Sequence, residues 1–184
     1  MTKLISYLIL FIGVIIMAFS SLQSCNNQKA IPSLSEEPEI ITTVKLEFKD
    51  LVNGDISSYF YREMNGKTVS PSQQDTVKLK ANCNYFANLS FLNESDSDAI
   101  KNITYEIKME DKSHMVCWVA NFNSMVIRMD SDGNFPLGLE SKWLNGPASQ
   151  GNVIISLMHQ PNIKNGACEI GGTDIKVSFP VVIR

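Results

Sequence analysis

From residue 40 onward, apolar and polar residues alternate one by one along most of the chain, and this spacing constrains the fold more than any other feature. Val44, Leu46 and Phe48, for example, are separated by Lys45 and Glu47. Successive side chains of a β-strand point to opposite faces of the sheet, so a period of two is typical of a strand with one buried face. The alternation therefore predicts a β-protein rather than a helical one.

Nine short segments of this character follow one another, separated by turns rich in glycine, asparagine, aspartate and proline. They are residues 44–49, 56–64, 75–80, 85–92, 114–119, 125–130, 139–144, 153–159 and 174–183. Ile103–Met109 also alternates, but its second face is charged, so a strand and a short exposed helix both remain open. Many short strands without a long amphipathic helix indicate a sandwich or barrel. We predict one all-β domain over residues 40–184, an antiparallel β-sandwich or barrel.

The first 24 residues have the form of a cleaved export signal. Lys3 supplies a positive charge, and Leu4–Phe19 is an apolar run interrupted by Ser6 and Gly13. Sixteen helical residues would rise roughly 24 Å, which is short of the ~30 Å hydrocarbon core of a bilayer. We therefore expect residues 1–24 to be a signal peptide rather than a permanent membrane span.

The signal ends in Leu22-Gln23-Ser24-Cys25, which resembles the lipobox of bacterial lipoproteins. In that motif an aliphatic residue and a small residue precede the cysteine that is acylated and becomes the new N-terminus. Gln23 departs from it, because a small or hydroxyl residue is usual there. The resemblance implies lipidation of Cys25 by palmitate-like chains, and ordinary secretory cleavage near Ser20 or Ser24 is the alternative.

Residues 25–39 are polar, contain Pro32 and Pro38, and show no periodicity, which is typical of a flexible tether. The stretch after Cys25 lacks the acidic run that directs some lipoproteins to the cell surface. We expect an outer-membrane anchor in the bacterial envelope, with the domain on the periplasmic side and the membrane as its partner through the acyl chains.

Charge excludes one class of partner. The formal net charge is −3, and loss of the leader with Lys3 would make the chain more acidic still. A chain without a basic excess is poorly suited to a phosphate backbone, so we expect no nucleic-acid partner.

Several patches of the strand-rich part carry a family resemblance. They are residues 91–94 (Phe-Leu-Asn-Glu), His114, residues 130–139 with their Asp-Ser-Asp-Gly-Asn start, residues 157–161 (Leu-Met-His-Gln-Pro) and residues 172–179. Together they resemble a family of short, uncharacterised bacterial envelope lipoproteins, over roughly residues 40–184. The resemblance implies a β-sandwich in the envelope, and it brings no known activity or catalytic residues. The periplasmic-binding fold named for some such proteins does not fit, since it needs alternating βαβ units.

Asp130, Asp132 and Asn134 place side-chain oxygens at alternate positions, as the start of a calcium loop does. An EF-hand would need glycine at its sixth position and glutamate at its twelfth, where this chain has Phe135 and Ser141. Aspartate and asparagine are also favoured in turns for conformational reasons. We expect a turn here, with a weak calcium site as the alternative.

The two histidines, His114 and His159, are candidates for ligating a transition metal or haem. Nothing in the sequence places them near each other. We therefore expect surface or hydrogen-bonded histidines, and no metal or other cofactor.

Three cysteines follow Cys25, and an odd number in an oxidising compartment leaves at least one thiol outside an intramolecular pair. Cys117 lies between apolar residues of a predicted strand and is expected to be a small buried hydrophobe. Cys83 and Cys168 fall near loops and are the better candidates for a disulfide.

No spacing of residues indicates catalysis, because no nucleophile is placed with a base and no zinc or phosphate-binding motif is present. Trp118 and Trp143 are expected to pack in the core or on a sheet face. We predict a non-enzymatic envelope module that binds a partner or ligand or is structural, with no catalytic residues. The alternative is a small-ligand carrier for metal or haem in the periplasm.

Overall fold

The computed structural model describes residues 40–63 and 72–184, and these residues form eleven strands and one helix. In chain order the strands are β1 Thr43–Asp50, β2 Ile56–Arg62, β3 Gln73–Gln74, β4 Val77–Leu79, β5 Asn84–Asn93, β6 Lys101–Asn102, β7 His114–Ala120, β8 Ser124–Arg128, β9 Glu140–Asn145, β10 Ser149–His159 and β11 Gly172–Ile183. The helix α1, Ile103–Met109, lies between β6 and β7. The nine predicted strands are found, and β3 and β6 are two-residue additions.

The strands form two sheets that pack together, which confirms the predicted all-β sandwich. In the larger sheet the order is β3-β2-β1-β5-β9-β8, with β6 also paired to β5. In the smaller sheet the order is β4-β11-β10-β7. The pairing is antiparallel except between β4 and β11, which run parallel.

The core lies between the sheets and is built from the residues that the alternation assigned to one face. Val44, Leu46 and Phe48 of β1 are fully buried, whereas the residues between them are more exposed. Phe48 packs edge-on against Trp143, with ring centroids 4.8 Å apart. Trp118 packs on the same cluster from β7 and donates its indole N–H to a backbone carbonyl. Both tryptophans therefore pack as predicted.

The segment for which strand and helix were both open is the helix α1. Ile103 and Ile107, four residues apart, face the core, while Tyr105 and Met109 are exposed. The side chain of Asn102 accepts the backbone N–H of Thr104 and caps the first turn. Ile103 and Ile107 are thus buried with the spacing of a helix. A strand would have buried Tyr105 and Met109 on the same face as well.

Asn53-Gly54, one of the asparagine- and glycine-containing turns expected between the strands, joins β1 to β2 as a hairpin. Gly54 has φ +80, a conformation that most side chains avoid. The carboxylate of Asp50 accepts the backbone N–H of Val52 at 2.9 Å and helps to close the turn.

Candidate functional site

The lipidation site and its surroundings lie outside the described residues. This applies to Cys25, to the signal peptide 1–24 and to the tether 25–39, which all stay predictions. Met64, the last residue of the second predicted strand, also lies outside them.

Asp132, one of the calcium candidates, is held by protein groups. Its carboxylate accepts the backbone N–H groups of Asn134 and Phe135, each at 2.8 Å, and forms an ion pair of 2.8 Å with Lys164. The side chains of Lys164 and Asp132 are 3% and 4% exposed. Burial alone would raise the pKa of Asp132, but the Lys164 ammonium and the two N–H groups outweigh it and lower this pKa to about 2.

Asp130 is held in the same way by a different segment. Its two oxygens accept the backbone N–H groups of Gly138 at 2.7 Å and Leu139 at 3.1 Å. The carboxylates of Asp130 and Asp132 are thus engaged with separate partners instead of converging on one point. Their contacts are those of a turn that organises the chain after β8.

The two histidines lie together, which nothing in the sequence indicated. His114 on β7 and His159 on β10 are directly opposite in neighbouring strands, and their rings stack with centroids 4.9 Å apart and planes 14° apart. His114 is 4% exposed. Its Nδ1 lies 3.3 Å from the backbone oxygen of Glu110, and its Nε2 lies 3.7 Å from a carboxylate oxygen of Asp174.

Burial sets the protonation of His114. Removal from water lowers the pKa of His114, and the backbone contact at Glu110 opposes this only in part. Burial likewise raises the pKa of Asp174, and the histidines oppose it. The arrangement therefore favours a neutral His114.

The stacked histidines do not form a converging set of metal ligands. The lone pair of an imidazole nitrogen lies in the ring plane, so two nearly parallel rings direct their lone pairs along parallel planes. Among residues 40–63 and 72–184, no group of three or more histidine, cysteine or acidic side chains could hold a metal ion.

Cys83 and Cys168, the better disulfide candidates in the sequence, are not bonded to each other, because Cys168 is bonded to Cys117. Residues after β10 cross the outer face of the smaller sheet and bring Cys168 over Cys117. A small cluster of Met115, Met158 and the two cysteines forms there. Cys117 is buried as expected, but as half of a disulfide. Cys83 is a free, half-buried thiol at the start of β5 in the other sheet.

Beside α1 lies a shallow groove of about 390 Å³. Its lining includes the ring of Tyr105 and polar side chains of both charges, among them Glu47, Lys108 and Glu140. Within the part of the chain that the structure describes, no nucleophile among these polar groups is hydrogen-bonded to a base. The groove does not by itself indicate a reaction.

Strand β8 is an edge of the larger sheet, and no other described strand pairs with its outer side. The backbone N–H of Met129 bonds to the carbonyl of Glu140 at 2.8 Å, in register with the β8–β9 ladder. Bonded residues alternate along an antiparallel strand, so the backbone groups of Met125 and Ile127 also face β9. Those of Val126 and Arg128 point away from the sheet.

The corresponding edge of β7, in the smaller sheet, is partly covered. The N–H of Val116 donates to the carbonyl of Leu137 at 2.6 Å. Gly138, with φ +88, passes so close that a Cβ would lie 2.6 Å from the carbonyl oxygen of Val116. A glycine is therefore required for this segment to lie against β7, and a Cβ at this position would also lie 3.0 Å from Cδ of Arg128 on β8.

The outward face of β8 is apolar. Met125, Ile127 and Met129 are 62%, 38% and 52% exposed, while Val126 between them packs on the core. Leu144 lies opposite Met125 on β9. We call Met125, Ile127 and Met129 the β8 row. Natural edge strands are usually protected by charged residues, prolines, bulges or inward-pointing charges; the outward face of β8 has no charge or proline, and the one charge of the strand, Arg128, points inward.

Arg128 lies on the inward side of the same edge. Its Nη1 is buried without a hydrogen-bond partner, and no acidic side chain in residues 40–63 and 72–184 pairs with it. A buried donor without a partner costs about 1–3 kcal/mol, and more when it is charged. The edge therefore combines open backbone groups, an apolar row and a cation without a described counterion.

Sequence reasoning did not identify this edge, Arg128 or the Lys164 ion pair. One signal was present, since residues 125–127 (Met-Val-Ile) are apolar at both alternating positions, which is unusual for a solvated strand. Lys164 gave no signal, because its partner is brought to it by the folded loop.

The described residues contain no helix with the length and apolar character needed to cross a membrane. No family model, no curated protein and no solved structure matches this chain.

Proposed function

We propose that this chain is a lipid-anchored, non-enzymatic protein of the bacterial envelope that binds a partner protein through the edge of β8. The observation that carries the proposal is the β8 row on a strand whose outer backbone groups have no described partner. An added strand would bond to those groups and cover the row, which is the recurring mode of β-augmentation.

Other features support the location. Disulfides persist in oxidising compartments, and the Cys117–Cys168 bond agrees with export. The lipobox-like Leu22–Cys25 and the polar residues 25–39 would hold the sandwich beside the outer membrane, on its periplasmic side. The likeness of residues 40–184 to envelope lipoproteins points to the same compartment.

Photocross-linking in the bacterium that encodes the protein tests partner binding. A photoreactive amino acid replaces Met125 in the full chain, and in a matched control it replaces Lys78, which is exposed on the edge strand β4 of the other sheet. We expect a discrete adduct from position 125 that Ile127→Lys abolishes, because a lysine in the row would be covered by the partner. Equal adducts from both positions, or none from position 125, would contradict the proposal.

A further inference from the structure

We infer that the occupant of the β8 edge is an extended segment of another protein, apolar on one face and carrying a carboxylate opposite Arg128 on the other. This inference rests on the proposed function and names the chemistry of its partner.

Arg128 lies on β8 where a residue of an added strand would be directly opposite it. Residues directly opposite each other in an antiparallel pair share a face, with Cβ atoms about 4.5–5.5 Å apart. The side chain of Arg128 belongs to the inward set of β8, with Val126. A residue paired with Arg128 would therefore point to the same side, where a glutamate or aspartate would reach the guanidinium.

The charge of Arg128 favours an acidic residue in the partner. Arg128 is partly buried, its Nη1 has no hydrogen-bond partner, and no acidic side chain of the described residues pairs with it. An incoming lysine would be repelled, and an incoming apolar residue would remove more water from the guanidinium without replacing it. A carboxylate beside the partly exposed guanidinium would supply the negative charge that no described residue provides.

The outward face of β8 determines the other side of the added strand. The β8 row would contact every second residue of the added strand, and Leu144 continues the apolar surface onto β9. The occupant therefore needs apolar residues at alternate positions on that side.

A second copy of this chain fits less well. Its own β8 would bring Ser124, Val126 and Arg128 to the inward side, and none of these is acidic. The nearest acid, Asp130, already accepts the N–H groups of Gly138 and Leu139. Pairing of two β8 strands would thus leave both guanidinium groups without a carboxylate.

The test uses three short synthetic peptides with blocked ends, in which valine and threonine alternate and the central inward residue is glutamate, glutamine or lysine. Binding to the full-length chain in detergent micelles is followed by calorimetry. We expect the glutamate peptide to bind at least about fivefold more tightly than the glutamine peptide, and the lysine peptide to bind most weakly.

Variants of the protein separate binding at the β8 edge from the preference for an acidic partner. Arg128→Gln should remove the preference for glutamate, and Arg128→Lys, which keeps the charge, should retain much of it. Ile127→Lys should weaken the binding of all three peptides. Circular dichroism checks that each variant is folded, and Arg128→Met, which also removes the charge, serves if the glutamine variant is not.

The outcomes are distinct. Equal binding of the three peptides that Ile127→Lys abolishes would overturn the acidic partner and leave the edge as the binding site. No binding, or binding that neither variant changes, would overturn both. A dimer in sedimentation analysis that Ile127→Lys dissociates would identify a second copy as the occupant and overturn the acidic segment.

Discussion

At the scale of single residues, the polar groups of the interior are placed in pairs that only the folded chain creates. Lys164 is buried against Asp132, and its ammonium also donates to the backbone carbonyl of Asp111 at 2.7 Å. His114 is stacked on His159 and out of contact with most of the solvent. Such groups are costly to leave unpaired, so their replacement has predictable effects on stability.

Replacing Lys164 by methionine should lower the free energy of unfolding by about 1–3 kcal/mol, because the buried carboxylate of Asp132 loses a charged partner. The double variant with Asp132→Asn should lose less than the sum of the single variants, since the two residues act as a pair. Urea unfolding near neutral pH measures this, and Lys176→Met, at an exposed position, is the control. Additive losses would show that the pair is not coupled.

The lowered pKa of His114 predicts the direction in which stability changes with pH. Its folded pKa lies below the ordinary value of 6.5, so the unfolded chain binds more protons in the window below 6.5. Stability should therefore fall as the pH is lowered from about 7.5 to about 5.5, with a slope of at most about 1.4 kcal/mol per pH unit from this group. His114→Gln should flatten the slope in urea unfolding.

The matched control is His159→Gln, which keeps the buried His114 and should keep most of the slope. Glu110 and Asp174 still face His114 in His159→Gln, so this control keeps the buried imidazole beside its acidic neighbours. A slope that survives His114→Gln would assign the pH dependence to other groups.

At the scale of elements, the segment between β10 and β11 is held on the outer face of the smaller sheet by three kinds of tie. Cys168 is bonded to Cys117, and Lys164 is paired with Asp132. Gln160 is fully buried and donates through Nε2 to the carbonyls of Ala167 and Ile170, each at 2.8 Å. This irregular segment therefore depends on specific bonds more than the strands do.

Removing the disulfide with Cys117→Ala and Cys168→Ala together should lower the free energy of unfolding by about 2–4 kcal/mol, because the bond restricts the unfolded chain. The two cysteines are 51 residues apart in sequence. Urea unfolding with and without a reducing agent measures the effect, and the unreduced variant should match the reduced wild type. Cys83→Ala, which leaves the bond intact, should keep the response to reductant. Wild-type unfolding that does not respond to reductant would contradict this pairing.

At the scale of the whole molecule, the edge of β8 in the larger sheet lies beside the edge of β7 in the smaller one, and the two are covered differently. The smaller sheet is covered on its outer face by the disulfide-linked segment, and the β7 edge is partly covered by Leu137 and Gly138. The proposed anchor at Cys25 would hold this molecule beside a membrane and restrict the partners that β8 can meet.

The anchor predicts that Cys25→Ser abolishes labelling of the full chain by a radioactive fatty acid and releases the protein from the membrane fraction. The reason is that the acylated thiol would be the sole site of attachment. Cys83→Ser is the matched control and should be labelled like the wild type. Labelling that persists in Cys25→Ser would show that the lipobox resemblance misleads.

Much of the fold was predictable from sequence, because strand patterning is a local property. Whether Val44, Leu46 and Phe48 face inward depends on their spacing of two, and the same holds for the alternate residues of β5. The Asn53-Gly54 turn was also local, because it depends on the tolerance of these residues for positive φ.

The candidate site was less predictable, because it depends on which strands become neighbours. The alternation of residues 125–129 gives β8 but does not show that β8 is an edge, which follows from the strand order of the larger sheet. The missing counterion of Arg128 likewise becomes visible only when every group around it is placed.

By itself, then, the sequence determined the β class, the strands and the residues that face the core, since these follow from the direction of neighbouring side chains along an extended backbone. Tertiary structure decided the His114–His159 stack, the Cys117–Cys168 bond and the Asp132–Lys164 pair, in each of which the two residues are far apart in the chain. It also decided that Ile103–Met109 is a helix, in which Ile103 and Ile107 are buried and Tyr105 is exposed, whereas a strand would place all three on one face. The physical reason is that a local pattern limits what each segment can form, whereas pairing between segments depends on the order and register in which the sheets assemble.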